Sequence, residues 1–315
     1  MTARVAVVGA SGIGQHHARW WALEGAAVSA FVGTSPESVA RTQEKLAEQF
    51  GFNGTGYTDT ATMLQEEQPD LVDVCSPPAC HAAHVHQALE AGCDVLCEKP
   101  FVFDRALPHA ALLAAARRLL DQADRLGRRL SVCTQYSVGA RMFQRLFTEH
   151  CPGVAITRYR GRLEAPAKGR GPDPVRVWVD LSPHVIGALI ALLPGASVQW
   201  DTLETRFDGY EAIAALQVQT ADGNPVACEL RTCDRTEPPS HVRQFSLNET
   251  LFEVQGGNDA EGVFCARIAT PASVIEEPDM MRLLIREMLH GGPVPGAADI
   301  LANLELMLGV LARAS

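Results

Sequence analysis

VAVVGASGIG, residues 5–14, joins four apolar residues to a turn that contains three glycines. The apolar run predicts a buried strand, and the stretch from Gln15 to Glu24 has the composition of a helix. A glycine turn between a first strand and a first helix lets the backbone approach a pyrophosphate, while the helix N-terminus offers N–H donors and the positive end of its dipole. The stretch therefore predicts a dinucleotide site. Its predicted contacts are Gly9, Ser11, Gly12, Ile13 and Gly14, with Ser11 standing where a second glycine is usual.

Strand-like and helix-like stretches alternate through the first part of the chain. The strand-like runs are Ala27 to Val32, Leu71 to Cys75, Asp94 to Cys97 and Leu130 to Tyr136. This alternation predicts an α/β fold whose N-terminal domain, residues 1–136, holds a doubly wound, Rossmann-type parallel sheet. Short alternating runs then follow one another. They predict that residues 137–315 form a second domain of α+β type with a mostly antiparallel sheet.

Length and composition agree with a globular protein of two domains. The chain has 315 residues, of which 47% are hydrophobic and 20% charged. No apolar run reaches the roughly 18 residues that span a bilayer, so no membrane partner is expected. The formal net charge of -10 argues against a nucleic-acid partner, which would need clustered cations. The N-terminal residues resemble no secretory signal, so we expect a cytoplasmic protein with free thiols at its cysteines; without a CxxC pair, no metal site is predicted.

The end of the second predicted strand bears on the choice of dinucleotide. An acidic residue there favours the ribose 2′-hydroxyl of NAD and repels a 2′-phosphate. This chain has Gly33, Thr34 and Ser35 at that place, and Arg41 follows within reach of a phosphate. The pattern favours NADP over NAD, with NAD still possible. Thr34 and Ser35 can equally cap the helix that begins at Pro36.

VLCEKPFVF, residues 95–103, interrupts an apolar strand with two opposite charges and a proline. Pro100 removes a backbone donor where the strand should stop. Glu98 and Lys99 are therefore expected at the carboxyl end of a parallel strand, where ligands bind in open α/β sheets. A surface salt bridge is the alternative. A cis bond between Lys99 and Pro100 is typical of a tight functional turn, and the sequence leaves both isomers open.

With three further motifs in order, the chain resembles the glucose-fructose oxidoreductase and inositol dehydrogenase family, Gfo/Idh/MocA. These motifs are Pro77 and His81 at a helix start, Glu98-Lys99-Pro100, and Asp180-Leu181-Ser182-Pro183-His184. The resemblance implies a nucleotide-binding first domain and a second domain, for substrate binding and oligomerisation, whose open sheet often forms the subunit interface; a homodimer or homotetramer is therefore expected. It also implies that Lys99 lies beside nicotinamide and substrate, and that Asp180 and His184 face that substrate. We add Ser76, Pro77, His81, Glu98 and Lys99 to the predicted cofactor-binding residues.

The chemistry of the three predicted catalytic residues can be stated from their side chains. Alcohol oxidation moves a hydride to nicotinamide and a proton to a base, and histidine has a suitable pKa. We assign His184 as proton acceptor, Lys99 as the cation that stabilises negative charge on the oxygen, and Asp180 as the residue that holds or polarises one of them. Because Pro183 suits a first helical turn, a helix is expected to begin near Ser182.

We therefore predict an NAD(P)-dependent oxidoreductase that acts on a secondary alcohol or ketone of a sugar, cyclitol or related small polar molecule. An imine or enone reductase with the same cofactor is one alternative, and a non-catalytic dinucleotide-binding regulator is another. Gly187 departs from the family pattern, which frequently has an aspartate three residues after the histidine. This departure predicts weaker recognition of polyols.

Overall fold

The computed structural model describes residues 2–260 and 262–314, which form two compact units. The elements in chain order are β1 (Arg4–Val8), α1 (Ile13–Leu23), β2 (Ala27–Val32), α2 (Pro36–Phe50), β3 (Thr55–Tyr57), α3 (Thr60–Glu67), β4 (Leu71–Val74), α4 (Pro78–Glu90), β5 (Asp94–Cys97), α5 (His109–Leu126), β6 (Leu130–Val132), α6 (Tyr136–His150), β7 (Arg158–Pro166), α7 (Pro174–Leu192), β8 (Ser197–Asp208), β9 (Glu211–Gln219), β10 (Pro225–Arg235), β11 (Val242–Leu247), β12 (Thr250–Asn258), β13 (Phe264–Ala269), β14 (Val274–Pro278), α8 (Met280–His290) and α9 (Ala297–Leu311).

The first unit contains a six-stranded parallel sheet in the order β3-β2-β1-β4-β5-β6. The strand order reverses between β1 and β4, which is the point where doubly wound sheets bind nucleotides. β4 is buried along its whole length, as is most of β1, because helices cover both faces of a parallel sheet. The predicted Rossmann-type sheet is confirmed.

The first unit also includes a segment from near the C-terminus. It comprises the chain up to Cys133 together with Met281–Leu301. Arg129 donates from Nη1 to the Met288 carbonyl at 2.6 Å, and Glu24 accepts from Arg282 and Arg286, each at 2.8 Å. These contacts hold α8 within the first unit. The prediction of one second domain over residues 137–315 therefore differs from the structure, which divides the chain after Cys133 and returns residues 281–301 to the first unit.

The second unit, Thr134–Met280 with the chain from Ala302 onward, is built on an eight-stranded sheet. Its order is β14-β13-β12-β11-β7-β10-β9-β8, and among its neighbouring pairs only β7 and β10 run parallel. Buried and more exposed residues alternate along β9 and β10, so one face is the covered face. The predicted mostly antiparallel sheet is confirmed.

Helix α7 is the central helix of the second unit. By length and composition it could cross a membrane, although the sequence analysis expected no such run. Its interior position explains the composition, because 61% of its most apolar window is buried and the helix contacts β7 and β10. Asp173 caps its N-terminus by accepting from the Arg176 N–H, and Asn303 donates to the Pro183 carbonyl inside the helix.

Some predicted boundaries differ from the structure. The last strand of the first sheet ends at Val132, and Tyr136, predicted as its final residue, begins helix α6. Pro183 lies within α7, so the predicted helix start near Ser182 is wrong and the helix begins at Pro174. Strands β3, β13 and β14 are short and were not predicted.

Candidate active site

The glycine turn after β1 packs directly on the end of β4. Gly9 has a φ of +92°, and a Cβ added there would lie 2.8 Å from both the Cys75 carbonyl oxygen and the Ser76 nitrogen. A Cβ on Gly14 would collide with the Gly9 carbonyl oxygen. Both glycines are therefore required for the turn to form and for α1 to pack against it.

The outer side of the same turn fits a pyrophosphate. Ser11, Gly12 and Ile13 are exposed, and no described atom lies within 4 Å of a Cβ built on Gly12. No described side chain caps the N-terminus of α1, and its first turn carries no acidic residue. Backbone N–H groups and the helix dipole are therefore available to an anionic ligand at this point.

The end of β2 carries both a cap and a carboxylate. Ser35 Oγ accepts from the Ser38 N–H at 3.2 Å, so the alternative interpretation of Ser35 as a helix cap is confirmed. Glu37 and Arg41 are both exposed on α2, and Gly33 and Thr34 precede the cap. A hydrogen bond with Ser35, followed by backbone hydrogen bonding, lowers the pKa of Glu37. Sequence analysis missed Glu37, whose negative charge near this tip opposes a 2′-phosphate.

His81 connects the end of β4 to the turn after β5. Its ring is fully buried, with Nδ1 3.0 Å from the Pro100 carbonyl oxygen and Nε2 2.7 Å from the Ser76 carbonyl oxygen. Burial lowers the pKa of His81, although the two carbonyl contacts oppose that shift. These contacts of His81 connect the two turns, and its predicted part in cofactor binding stays a prediction. Ser76 is buried and Pro77 is exposed at the start of α4.

The Glu98-Lys99-Pro100 turn follows β5 at the carboxyl edge of the sheet, as predicted. Glu98 and Lys99 are half-buried, and the bond between Lys99 and Pro100 is cis. The Lys99 N–H donates to Glu98 Oε2 at 3.2 Å. Phe101, at 3% exposure, anchors the turn in the apolar interior.

A buried polar cluster lies behind this turn. His17 and Asp73 have no exposed surface, and His17 Nδ1 lies 2.9 Å from Asp73 Oδ2. His17 Nε2 lies 3.2 Å from Glu98 Oε1, and Trp21 Nε1 donates to Asp73 Oδ2 at 2.6 Å. Burial opposes protonation of His17, but Asp73 and then Glu98 outweigh it and raise the pKa of His17 to about 10. This cluster was not predicted from the sequence, where its only signal was the charged residue Asp73 inside the apolar run LVDVC.

Side chains of the types that bind metal ions lie close together in this cluster, but their surroundings oppose the thiolate form of the two cysteines. His17 lies within 4.8 Å of Cys75 and Asp73, and equally of Cys133 and Glu98, measured between their potential ligand atoms. Burial, with the charges of Asp73 and Glu98, raises the pKa of both thiols well above its usual value. Because zinc binds the thiolate form, this environment disfavours it. The expectation of no metal stays a prediction.

In the second unit, Asp180 and His184 lie one turn apart on the same face of α7. Both are half-buried, whereas most residues around them are buried. The Tyr136 ring meets the His184 ring edge to face, with centroids 5.9 Å apart. Tyr136 in turn packs on Phe245 at 4.7 Å and is itself buried. These contacts restrict the orientation of the His184 imidazole.

Comparisons with known proteins support the predicted family. The model of the oxidoreductase family GFO_IDH_MocA, NAD-binding Rossmann fold, matches residues 3–134. A D-glucoside 3-dehydrogenase of Escherichia coli (strain K12) is 36% identical over 129 residues, which cover 41% of this chain and 33% of the relative. The match thus spans about a third of the length of that relative.

Solved structures resemble the chain over nearly its whole length. A scyllo-inositol dehydrogenase from Lactobacillus casei, with bound NAD(H) and scyllo-inositol, has a TM-score of 0.72 at 15% identity and covers 100% of this chain and 97% of its own. KijD10, a 3-ketoreductase from Actinomadura kijaniata in complex with NADP, has a TM-score of 0.70 at 20% identity, covering 100% and 98%. At these identities the likeness shows the fold alone. The family match over residues 3–134 and the curated relative confirm the predicted resemblance to the Gfo/Idh/MocA family of oxidoreductases over that part of the chain.

Proposed function

We propose that this protein transfers a hydride between a nicotinamide dinucleotide and a secondary alcohol or ketone of a sugar, a cyclitol or a related small polar molecule. The observation that carries the proposal is a continuous line of contacts along the carboxyl edge of the first sheet. Gly9 packs on Ser76, the Ser76 carbonyl meets His81, and His81 meets the Pro100 carbonyl. The phosphate-binding turn and the turn that carries Lys99 are thereby held in one arrangement. The D-glucoside 3-dehydrogenase relative supports the substrate class.

The proposed roles follow from the residues of each unit. The backbone from Gly9 to Gly14 would hold the pyrophosphate, and the bound nicotinamide would supply the hydride chemistry. Lys99 stabilises negative charge on the substrate oxygen, and His184 exchanges the hydroxyl proton. Asp180, one helical turn from His184, holds or polarises that side chain or the lysine. We propose that the three residues act in the same reaction.

Our preference for NADP rests on the end of β2, where Gly33, Thr34 and Ser35 carry no carboxylate, and on Arg41 of α2. Ser35 is engaged as a helix cap, and Arg41 is an exposed cation on α2. The nearby carboxylate of Glu37 opposes this preference. Because these charges are exposed, their influence is screened by salt, and the preference for NADP over NAD should be modest.

The oligomer is proposed from the sheet of the second unit. Strands β9 and β10 alternate between buried and more exposed residues, which leaves one face of the sheet accessible to another copy of the chain. We propose a cytoplasmic homodimer or homotetramer, which light scattering after size-exclusion chromatography will distinguish from a monomer. The proposed partners beyond that copy are small molecules, with no nucleic acid and no membrane.

The function is tested by calorimetric titration with NADPH and NADH, followed by nicotinamide fluorescence in the presence of sugars, cyclitols and keto-sugars. Lys99→Ala should lower turnover by roughly 100-fold or more, since a preorganised charge beside a developing oxyanion is worth that much. The variant should keep much of its cofactor affinity, because the proposed pyrophosphate contacts lie in the turn from Gly9 to Gly14. Lys45→Ala, which removes an exposed cation of α2, is the matched control and should change neither.

Other results of the same experiment would favour one of the two alternative functions. Turnover of imines or enones without turnover of ketones would support a reductase of that class. Tight cofactor binding without turnover of any compound, in both the parent protein and Lys99→Ala, would favour a dinucleotide-binding regulator.

A further inference from the structure

We propose that His17 is a positioning residue, which links Asp73 to Glu98 through the interior of the first unit and so fixes the turn that carries Lys99. The inference rests on the proposed function, because it concerns the placement of the lysine that acts on substrate. His17 itself has no exposed surface and is assigned no contact with cofactor or substrate.

The position of the ring between two carboxylates favours a doubly protonated histidine. Nδ1 faces a carboxylate oxygen of Asp73 at 2.9 Å, and Nε2 faces a carboxylate oxygen of Glu98 at 3.2 Å. Ionised carboxylates only accept hydrogen bonds, whereas a neutral imidazole has a single N–H to donate. Only the imidazolium places an N–H opposite a carboxylate at both ends. The pKa of His17, raised to about 10 by these two carboxylates against the opposing effect of burial, agrees with this assignment.

One end of the link is anchored in the sheet. Asp73 lies on β4, where it pairs in register with Val7 of β1 and Leu96 of β5. Its Oδ2 also accepts from Trp21 Nε1 at 2.6 Å, so α1 holds it from the other side. The carboxylate therefore sits on a rigid part of the fold.

The other end of the link is the turn itself. Glu98 directs Oε1 toward His17, and its Oε2 accepts from the Lys99 N–H at 3.2 Å. A carboxylate held at both oxygens, by a cation on one side and by the turn on the other, resists rotation. The backbone that carries Lys99 is thus tied to α1 through Glu98 and to α4 through the contact of His81 with Pro100.

Stability alone does not account for such a cluster. A buried ion pair is often no more stabilising than apolar side chains of the same volume, because the charges lose their hydration. Apolar residues, however, could not hold the Glu98 carboxylate in one direction. A displacement of about 1 Å at a catalytic group can cost roughly 100-fold in rate, so a fixed turn has a clear value for turnover.

The test compares His17→Gln with His16→Gln, which alters the exposed neighbouring histidine of α1. Hydrogen exchange of the Lys99 amide reports on the turn without reference to activity, and it should become about 10-fold faster in His17→Gln alone. The turnover number should fall by about 10-fold or more in that variant while the cofactor dissociation constant stays within about threefold. In the parent protein, histidine nitrogen chemical shifts should show both His17 ring nitrogens protonated at pH 8.

Glu98→Gln serves as a second variant if His17→Gln fails to fold. While His17 keeps a proton on both ring nitrogens, either orientation of the amide places its NH2 group against a donor on His17 or on Lys99, so the Lys99 amide should again exchange faster. Unchanged exchange in both variants, or faster exchange with unchanged turnover, overturns the proposal. A singly protonated His17 with one divalent metal ion per chain also overturns it. If the parent protein turns over no compound, the proposed function fails by itself, and the exchange and nitrogen shifts still decide whether His17 fixes the turn.

Discussion

Gly187 of α7 lies so close to Thr134 that a Cβ added to the glycine would be 2.8 Å from the threonine Cβ. Thr134 is buried, and its Cβ cannot move without the backbone. The aspartate that the family frequently has at this position therefore has no room in this chain. The departure from the family pattern at Gly187 thus coincides, in the structure, with a close contact between α7 and Thr134 inside the second unit.

Gly187→Ala should destabilise the protein by roughly 1–3 kcal/mol, which is the usual cost of an overpacked interior. This outcome is opposite to the gain of about 1 kcal/mol that alanine brings to a helix interior relative to glycine. Urea denaturation of the variant measures the difference. In a Thr134→Gly background the loss should shrink, since the opposing Cβ is gone, and a double-mutant cycle isolates that contact. A more stable Gly187→Ala protein would show that α7 shifts freely.

Cofactor selectivity should respond to the two exposed charges of α2. Glu37→Gln removes a negative charge near the end of β2, and it should strengthen NADPH binding relative to NADH by about two- to fivefold at low salt. Arg41→Ala should have the opposite effect on the ratio. Calorimetric titration with both cofactors gives the numbers, and Glu44→Gln, a further exposed carboxylate of α2, is the control. Equal ratios in all four proteins would place the ribose elsewhere.

His184→Asn should lower the turnover number by roughly 100- to 10,000-fold, the range expected for loss of a general acid or base. Asparagine is smaller than histidine and removes only the edge-to-face contact with the Tyr136 ring, so the helix should stay folded. Steady-state kinetics across pH 6–10 should show that an ionisation governing the parent enzyme has disappeared. His290→Gln, an exposed histidine of α8, should behave as the parent. Retained turnover in His184→Asn would exclude it as the proton carrier.

The ion pairs between Glu24 and α8 allow a test of the division of the chain into two units, which the sequence did not predict. Glu24 accepts from Arg282 and Arg286, and its side chain is only 5% exposed. Glu24→Gln removes the charge that these donors pair with, which should lower the free energy of local opening of α8 by about 1–3 kcal/mol. Hydrogen exchange of residues 281–290 measures this opening, and α6 of the second unit is the internal reference. Equal protection in both proteins would mean that other contacts suffice to hold the segment.

Local patterns were enough to predict five strands of the first sheet and the glycine turn, but not the short edge strand β3. The strands of a parallel sheet are buried on both faces and read as apolar runs, and Gly9 and Gly14 are fixed by contacts within one strand-turn-helix unit. The position of residues 281–301 was not predictable in this way. The apolar face of an amphipathic helix shows that the helix packs, but not which unit it packs against.

The catalytic candidates illustrate the same limit. The family motifs single out Lys99 and His184 as candidates, and their catalytic roles stay predictions. Pro183 suggested a helix start that α7 does not have, because a proline within a buried helix is tolerated when its neighbours satisfy the backbone. The cluster of His17, Asp73 and Glu98 joins three segments that are far apart in sequence. No periodicity connects them, and only the folded chain shows their contacts.

The cluster should also make stability depend on pH above neutrality. The pKa of His17 is near 6.5 when unfolded and about 10 when folded. A raised folded pKa contributes stability that is fully present below about pH 6.5 and is lost as the pH rises to about 10. Loss of one partner from a buried pair costs about 3–5 kcal/mol, so His17→Gln should be less stable than the parent by about that amount near pH 6.5.

This difference between parent and His17→Gln should narrow steadily as the pH rises from 6.5 to 10, because the parent loses the stabilising proton and the variant never had it. Hydrogen exchange of α1 and β4 over that range, converted to free energies of opening, is the measurement. His16→Gln should show the same pH dependence of stability as the parent protein. Burial and the neighbouring charges of His17 and Arg19 lower the pKa of His16, so this side chain does not titrate between pH 6.5 and 10. A difference that stays constant with pH would mean that His17 is neutral in the folded protein, and both carboxylate contacts would then need another explanation.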